Sequence, residues 1–215
     1  MGQSECELPG KRVFVTGTDT DVGKTLVAGI LARCWRAHYW KPIQAGFDPS
    51  TDSSCLASWI DPTRVLPERF LLREAASPNQ AANREATRIR RDDFSLPTLC
   101  GPLVVEGAGG LMVPINEQDL MIDLIRHLNL PILLVARSGL GTLNHTLLSI
   151  EALRARQMEP IGVILNGEEH LENQRDIERF GQTSVLGRVP PLKTVDPTLF
   201  EDIYNGWTLS TEGRP

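Results

Sequence analysis

The sequence predicts an α/β fold, a single domain built on a mostly parallel sheet with helices on both faces. Three observations predict it. Apolar runs of strand length alternate with amphipathic segments along the chain, the pattern of repeated βαβ units. Several runs, Pro102-Leu103-Val104-Val105 and Pro131-Ile132-Leu133-Leu134-Val135-Ala136 among them, are apolar without alternation, as strands covered on both faces are. A further run, Val13-Phe14-Val15, passes through a short polar loop into Gly23-Lys24-Thr25 and an apolar helix.

The elements follow in order. After the first strand the helix reads from Leu26 to Ala37. A short second strand, Tyr39-Trp40, ends at Lys41-Pro42. A polar stretch from Gly46 to Ser54 leads to a short helix around Cys55 to Ile60. Phe70-Leu71-Leu72 reads as an edge strand or extended segment, and Asn79 to Arg90 as a helix after Ser77-Pro78. Arg84, Arg88, Arg90 and Arg91 form a basic patch, read as a solvated helix face. Pro102 to Val105 is a strand and Asp119 to His127 a helix. The strand Pro131 to Ala136 is followed by a glycine-bearing loop, Ser138 to Thr142, and a long helix through Arg156. Pro160 to Leu165 forms a strand ending at Asn166, and Ser184 to Val189 the last strand, ending at Pro190-Pro191. The 215 residues suit one domain, 1–215, in which 1–10 and 205–215 read as loose tails.

Composition removes several function classes. A net charge of -5 argues against a general nucleic-acid binder. No apolar run is long enough to span a membrane, and polar, acidic Met1–Gly10 is no signal peptide. Cys6 stands where a myristoylation signal wants Ser or Thr. Cys6, Cys34, Cys55 and Cys100 show no C-x-x-C pairing, and His38, His127, His145 and His170 show no metal-ligand spacing. Reduced thiols in a cytoplasmic protein fit this pattern.

In such sheets ligands collect at the carboxyl ends of the strands. Residues just past those ends are Gly17 to Thr25, Lys41 to Gly46, Glu106 to Gly110, Ser138 to Asn144, Asn166 and Pro190. The first set forms a phosphate loop: unpaired N–H groups at a helix start favour an anion, Lys24 reaches the β- and γ-phosphates, and the Thr25 hydroxyl takes Mg²⁺. Five residues separate Gly17 from Gly23 where the standard pattern has four, and Thr18 stands where that pattern wants Gly. The plainer alternative is a glycine-containing turn with a surface lysine. Mg·ATP also needs a carboxylate at a neighbouring strand end. Glu106 answers that need, with a solvated acid on a flexible turn as the alternative. Asp52 is a second candidate, although loop aspartates are usually turn or cap residues.

Taken together, Gly17-Thr18-Asp19-Thr20-Asp21-Val22-Gly23-Lys24-Thr25, Lys41-Pro42-Ile43-Gln44, Glu106-Gly107-Ala108-Gly109-Gly110, Gly141-Thr142-Leu143-Asn144-His145 and the strand ending at Asn166 resemble the dethiobiotin synthetase family of P-loop NTPases. The similarity runs from about Arg12 to Leu192. It implies a homodimeric ligase of biotin synthesis that joins 7,8-diaminononanoate and CO₂, using ATP with Mg²⁺, without nucleic acid or membrane partners. It implies Lys24 and Lys41 as catalytic residues and Thr25, Asp52 and Glu106 as metal ligands. ATP would lie against Asp21, Val22, Gly23, Lys24, Thr25, Leu26, Asp52, Glu106, Gly107, Ala108 and Gly109. Its adenine side would be Asn166, Gly167, Pro190, Pro191 and Leu192. The diamine would meet Thr20, Lys41, Ala45, Gly109 and Gly110, with Leu140, Gly141, Thr142, Leu143 and Asn144 at the subunit interface. Three positions depart from the family: Ala45 replaces a hydroxyl residue, Asn79 a histidine and Gly167 an acid. Two other readings stay open here. A chromosome-partitioning-type ATPase switch would want a second lysine early in the loop, where this chain has Thr18-Asp19-Thr20. A non-catalytic relative would not need Lys24, Thr25, Lys41 and Glu106 intact.

Overall fold

The computed structural model describes residues 11–47 and 49–209; the readings made of Met1–Gly10, Cys6 included, and of 210–215 lie outside them. In chain order the elements are β1 (Arg12–Gly17), α1 (Lys24–Cys34), β2 (His38–Trp40), β3 (Ile43–Ala45), α2 (Asp52–Ala57), β4 (Val65–Leu66), β5 (Phe70–Leu72) and α3 (Pro78–Arg84). They continue with β6 (Leu103–Gly110), α4 (Met121–Leu128), β7 (Ile132–Arg137), α5 (Thr142–Arg154), β8 (Pro160–Asn166), α6 (Leu171–Gly181), β9 (Val185–Val189) and α7 (Phe200–Asn205). Seven strands form one sheet in the order β4-β2-β6-β1-β7-β8-β9, and every pairing is parallel.

Successive residues of a strand face opposite sides, so a sheet buried on both sides divides its apolar residues between two cores. Val13 and Val15 join Tyr39, Val104 and Val135 under α1, α2 and α7. Phe14 instead joins Trp40, Leu103 and Val105 against α3 and α4. Leu134, Ala136, Val163 and Leu165 pack on the same side as Phe14, under Ile150 of α5 and Ile177 of α6. This is the two-layer cover that the unbroken apolar strand runs require.

The structure corrects several boundaries. α1 stops at Cys34, not Ala37, because Arg36 turns left-handed (φ 51°) and the Ala37 N–H bonds back to the Ala32 carbonyl at 2.8 Å. α2 starts at Asp52, three residues before the expected Cys55, because Thr51 caps it by accepting from the Ser54 N–H at 3.0 Å. α3 ends at Arg84, and Ala86 is left-handed (φ 49°). Arg88, Arg90 and Arg91 therefore lie beyond the α-helix expected to reach Arg90 and share no solvated face of it. Phe70–Leu72 does form a strand, paired with β3 in a separate two-stranded sheet. β3, β4, α6 and α7 have no counterpart in the sequence reading. Nor is the segment from Asn205 to Leu209 loose: it closes α7, Trp207 is buried, and the Trp207 Nε1–H and Thr208 N–H donate to the Arg188 and Leu186 carbonyls at 3.2 and 2.7 Å.

Candidate active site

Between β1 and α1 the chain turns twice through the left-handed region, at Asp21 (φ 56°) and Gly23 (φ 98°). Asp tolerates that conformation and Gly adopts it freely. No side chain caps α1, so its first N–H groups face the loop, the arrangement that suits an anion. Lys24 arches back over the loop and donates to the Asp19 carbonyl at 2.8 Å. Burial pushes its ammonium below the ordinary lysine pKa, and Glu106 recovers only part of the loss. From the end of β7, Arg137 donates to Asp19 Oδ2 and the Thr20 carbonyl at 3.2 and 3.3 Å and holds the loop tip.

Glu106 is fully buried and gathers the remaining groups. Oε1 accepts from Thr25 Oγ1 at 2.9 Å and from Lys41 Nζ at 3.1 Å. Oε2 accepts from Tyr39 Oη at 2.8 Å. Lys41 also pairs with Asp52 Oδ2. Burial acts to lower the Lys41 pKa, but Glu106 and Asp52 together outweigh it and raise the pKa. Burial, then Glu106, pushes the Tyr39 hydroxyl well above its usual value, so it remains a proton donor. Gln44 fastens the Asp52 end: its Oε1 accepts from the Asp52 N–H at 3.3 Å and its Nε2 donates to the Gly46 carbonyl at 2.6 Å.

Glu106 was expected just past a strand end. It stands inside β6, which continues to Gly110 because a bulge after Val15 re-registers the pair so that Gly17 lies opposite Gly110. Glycine suits the tight course beyond Glu106: a Cβ on Gly110 would sit 3.3 Å from the Thr18 carbonyl, and Gly109 has φ +68°.

These groups line one cleft of about 810 Å³. It collects the expected Thr20, Asp21, Gly23, Lys24, Thr25, Leu26, Lys41, Ala45, Asp52, Glu106, Ala108 and Gly109. Val22 is buried behind the loop, and Gly107 backs onto Phe14. Gln44, the last residue of the Lys41-Pro42-Ile43-Gln44 motif, lines it too, and Cys55, Trp59 and the Ala75–Pro78 segment line it without having been singled out as site residues. Neither had Tyr39 been. Its signal was a phenol in a buried strand, which needs a polar partner. Among the described residues no three His, Cys, Asp or Glu side chains group as a metal cluster. The oxygen set of Asp52, Glu106 and Thr25 nevertheless suits Mg²⁺, which binds through one or two carboxylates together with nucleotide phosphates.

The other expected residues do not line this cleft. Asn166 connects to it indirectly, donating from Nδ2 to the Val22 carbonyl at 3.1 Å. A Cβ on Gly23 would come within 2.3 Å of that nitrogen, so the contact requires glycine there. Gly167 follows with φ 132°, its carbonyl accepting from Arg188 Nη1 at 2.8 Å. Pro190, Pro191 and Leu192 follow β9 on the same side. Leu140 is fully exposed, and Gly141 (φ 89°) starts α5 at Thr142 without a side-chain cap. Leu143 and Asn144 occupy the first turn of that helix. Asn79 lines a separate hollow of about 800 Å³, where Arg88, Arg90 and Arg91 are matched by Asp92, Glu117 and Asp119.

The AAA domain family model matches residues 11–198. The chain is 52% identical over 183 residues to the ATP-dependent dethiobiotin synthetase BioD of Paramagnetospirillum magneticum, covering 85% of this chain and 89% of that one. It is 49% identical to the enzyme of the same name from Rhodopseudomonas palustris, covering 86% and 90%. Among solved structures, a putative plasmid partition protein of Borrelia burgdorferi bound to AMPPNP superposes with a TM-score of 0.56, covering 91% of this chain and 96% of that one. At 11% identity that likeness concerns the fold alone.

Proposed function

We propose a division of labour within the cleft from one premise: this chain belongs to the ATP-dependent dethiobiotin synthetase family. The reaction closes 7,8-diaminononanoate and CO₂ into the cyclic urea of dethiobiotin and converts ATP to ADP and phosphate. One amine takes up CO₂ as a carbamate. A carbamate oxygen attacks the γ-phosphorus, and the bond to the β,γ-bridging oxygen breaks, releasing ADP and leaving a carbamic-phosphoric anhydride. The second amine then attacks the activated carbon, loses its proton and expels phosphate.

Phosphoryl transfer depends mainly on positioning and charge stabilisation. Lys24 and the open N–H groups of α1 take the β- and γ-phosphates. Thr25, Asp52 and Glu106 would hold Mg²⁺, which supplies positive charge to the phosphates when bound. Lys41 faces the carbamate and the γ-phosphate oxygen. Thr20, Ala45, Gly109 and Gly110 flank the diamine. Asn166, Gly167, Pro190, Pro191 and Leu192 form the adenine side. Leu140 to Asn144 of a second copy receive the carboxylate tail at a homodimer interface. Exposed Leu140 and the uncapped start of α5 support that assignment. The absence, among the described residues, of a helix long and apolar enough to cross a membrane is compatible with work in the cytoplasm.

The observation that carries this reading is the joining of Thr25 and Lys41 through Glu106, with Asp52 paired to Lys41, beside Lys24. The test is coupling. Phosphate release from ATP is expected to be appreciable only when the diamine and bicarbonate are both present, with dethiobiotin formed in equal amount. Rapid hydrolysis without the diamine would instead favour a switch-type ATPase.

A further inference from the structure

We propose that Tyr39 is a positioning residue that makes Glu106 a one-oxygen ligand aimed into the cleft. This rests on the reading that Glu106 holds the metal. β2 lies beside β6 with Tyr39 opposite Val104, and Glu106 is two residues further along on the same face. That places the phenol at the carboxylate rather than in the opposite core. Tyr39 is fully buried, and its hydroxyl donates to Glu106 Oε2 at 2.8 Å. The other oxygen, Oε1, meets Thr25 and Lys41. The two oxygens therefore have separate tasks. One is anchored in the sheet by a rigid aromatic side chain, and the other remains toward the cleft, where Thr25 and Lys41 can be exchanged for a cation. A carboxylate free to rotate would offer either oxygen, or both, and would lose orientation. Residues that hold a metal ligand in this way typically govern metal affinity by about 10–100-fold.

The test compares Tyr39→Phe, Glu106→Gln and the unmodified protein. Mn²⁺ binding in the presence of ADP is followed by the paramagnetic resonance of free Mn²⁺, and metal-free ADP binding is measured separately. Tyr39→Phe is expected to weaken Mn²⁺ binding about tenfold while metal-free ADP binding stays within about twofold, a split that general loosening of the fold would not produce. If Glu106→Gln weakens Mn²⁺ binding and Tyr39→Phe does not, the proposal falls and the metal reading survives. If Glu106→Gln leaves Mn²⁺ binding unchanged, the metal reading fails and the Tyr39 proposal with it. A second measurement avoids any folding defect of the variant. The chain has 2 tyrosines, Tyr39 and Tyr204, so 3-fluorotyrosine labelling gives two fluorine resonances. Mg²⁺ added to the ADP complex is expected to shift that of Tyr39 and spare that of Tyr204, which donates no bond to the cleft. A Tyr39 resonance unmoved by Mg²⁺ would overturn the proposal.

Discussion

At the carboxyl edge of the sheet, the ends of β1, β2 and β6 contrast with those of β7, β8 and β9. On the first side Lys24, Lys41 and Glu106 are buried, Thr25, Tyr39 and Lys41 each bond directly to Glu106, and Asp52 pairs with Lys41. On the second side, Leu140 and Asn144 face solvent, and Asn166 makes one hydrogen bond to the phosphate loop, at the Val22 carbonyl, beside Gly23. On the division of labour proposed above, the difference follows from the work asked of each. Charge stabilisation gains strength in a dry site with fixed partners, so that half must be assembled before substrate arrives. Recognition of an adenine or a tail carboxylate can use backbone groups of loops, and a ligand or a second copy can complete it.

The largest expected effect breaks the first side. Lys24→Ala or Lys41→Ala should each lower turnover by roughly 10²–10³-fold or more while the circular dichroism spectrum stays folded. Near-normal turnover in either would remove its assigned role.

A sharper contrast lies between the two lysines. The folded pKa of Lys24 is lowered from 10.5, so its charge costs the fold stability below pH 10.5, and the cost vanishes above it. The folded pKa of Lys41 is raised, so its charge stabilises the fold below 10.5, and that benefit is lost as pH climbs through the higher folded value. At neutral pH, without nucleotide, Lys24→Met should therefore melt above the parent protein. Lys41→Met should melt below it, losing on the order of 3 kcal/mol because two carboxylates are left without their cation. Melting shifts of the same sign would contradict this account.

The second side should respond differently. Leu140→Glu is expected to raise the KM for the diamine about tenfold and to shift sedimentation toward monomer, with ADP affinity unchanged. A variant that stays dimeric with normal KM would place the interface elsewhere. The smallest effect is expected from Asn166→Ala, which removes about one hydrogen bond's worth of binding and should raise the KM for ATP about five- to tenfold with little change in kcat. A fall in kcat alone would show that Asn166 acts on the loop instead of the nucleotide.

The strand cores were legible because short continuous apolar runs bounded by turn residues fit strands buried on both faces. The phosphate loop was legible for a similar reason, since strand, glycine turn, lysine and helix constrain one another. β3 was not legible: three residues between Pro42 and Gly46 carry no periodicity. α6 was missed because its sequence is mostly polar, and only Ile177 and Gly181 are buried. α7 was not legible either: the C-terminal segment reads as a loose tail, although Phe200 and Trp207 are buried and Tyr204 packs against the same core. In the site, Lys24, Thr25, Lys41 and Glu106 stood out by residue type. Tyr39 did not, because its bond to Glu106 depends on β2 and β6 being neighbours, although 67 residues separate the two in the chain.

The bonds from Trp207 and Thr208 to the Arg188 and Leu186 carbonyls have a consequence for how this molecule meets others. They occupy outward-facing acceptors of β9, the last strand of the sheet, while the opposite border, β4, is only 2 residues long. Neither border offers a long bare template on which a foreign strand could grow. Two copies are thus steered away from fusing their sheets into a fibre-like stack and toward contact through helices and loops, which leaves each sheet intact.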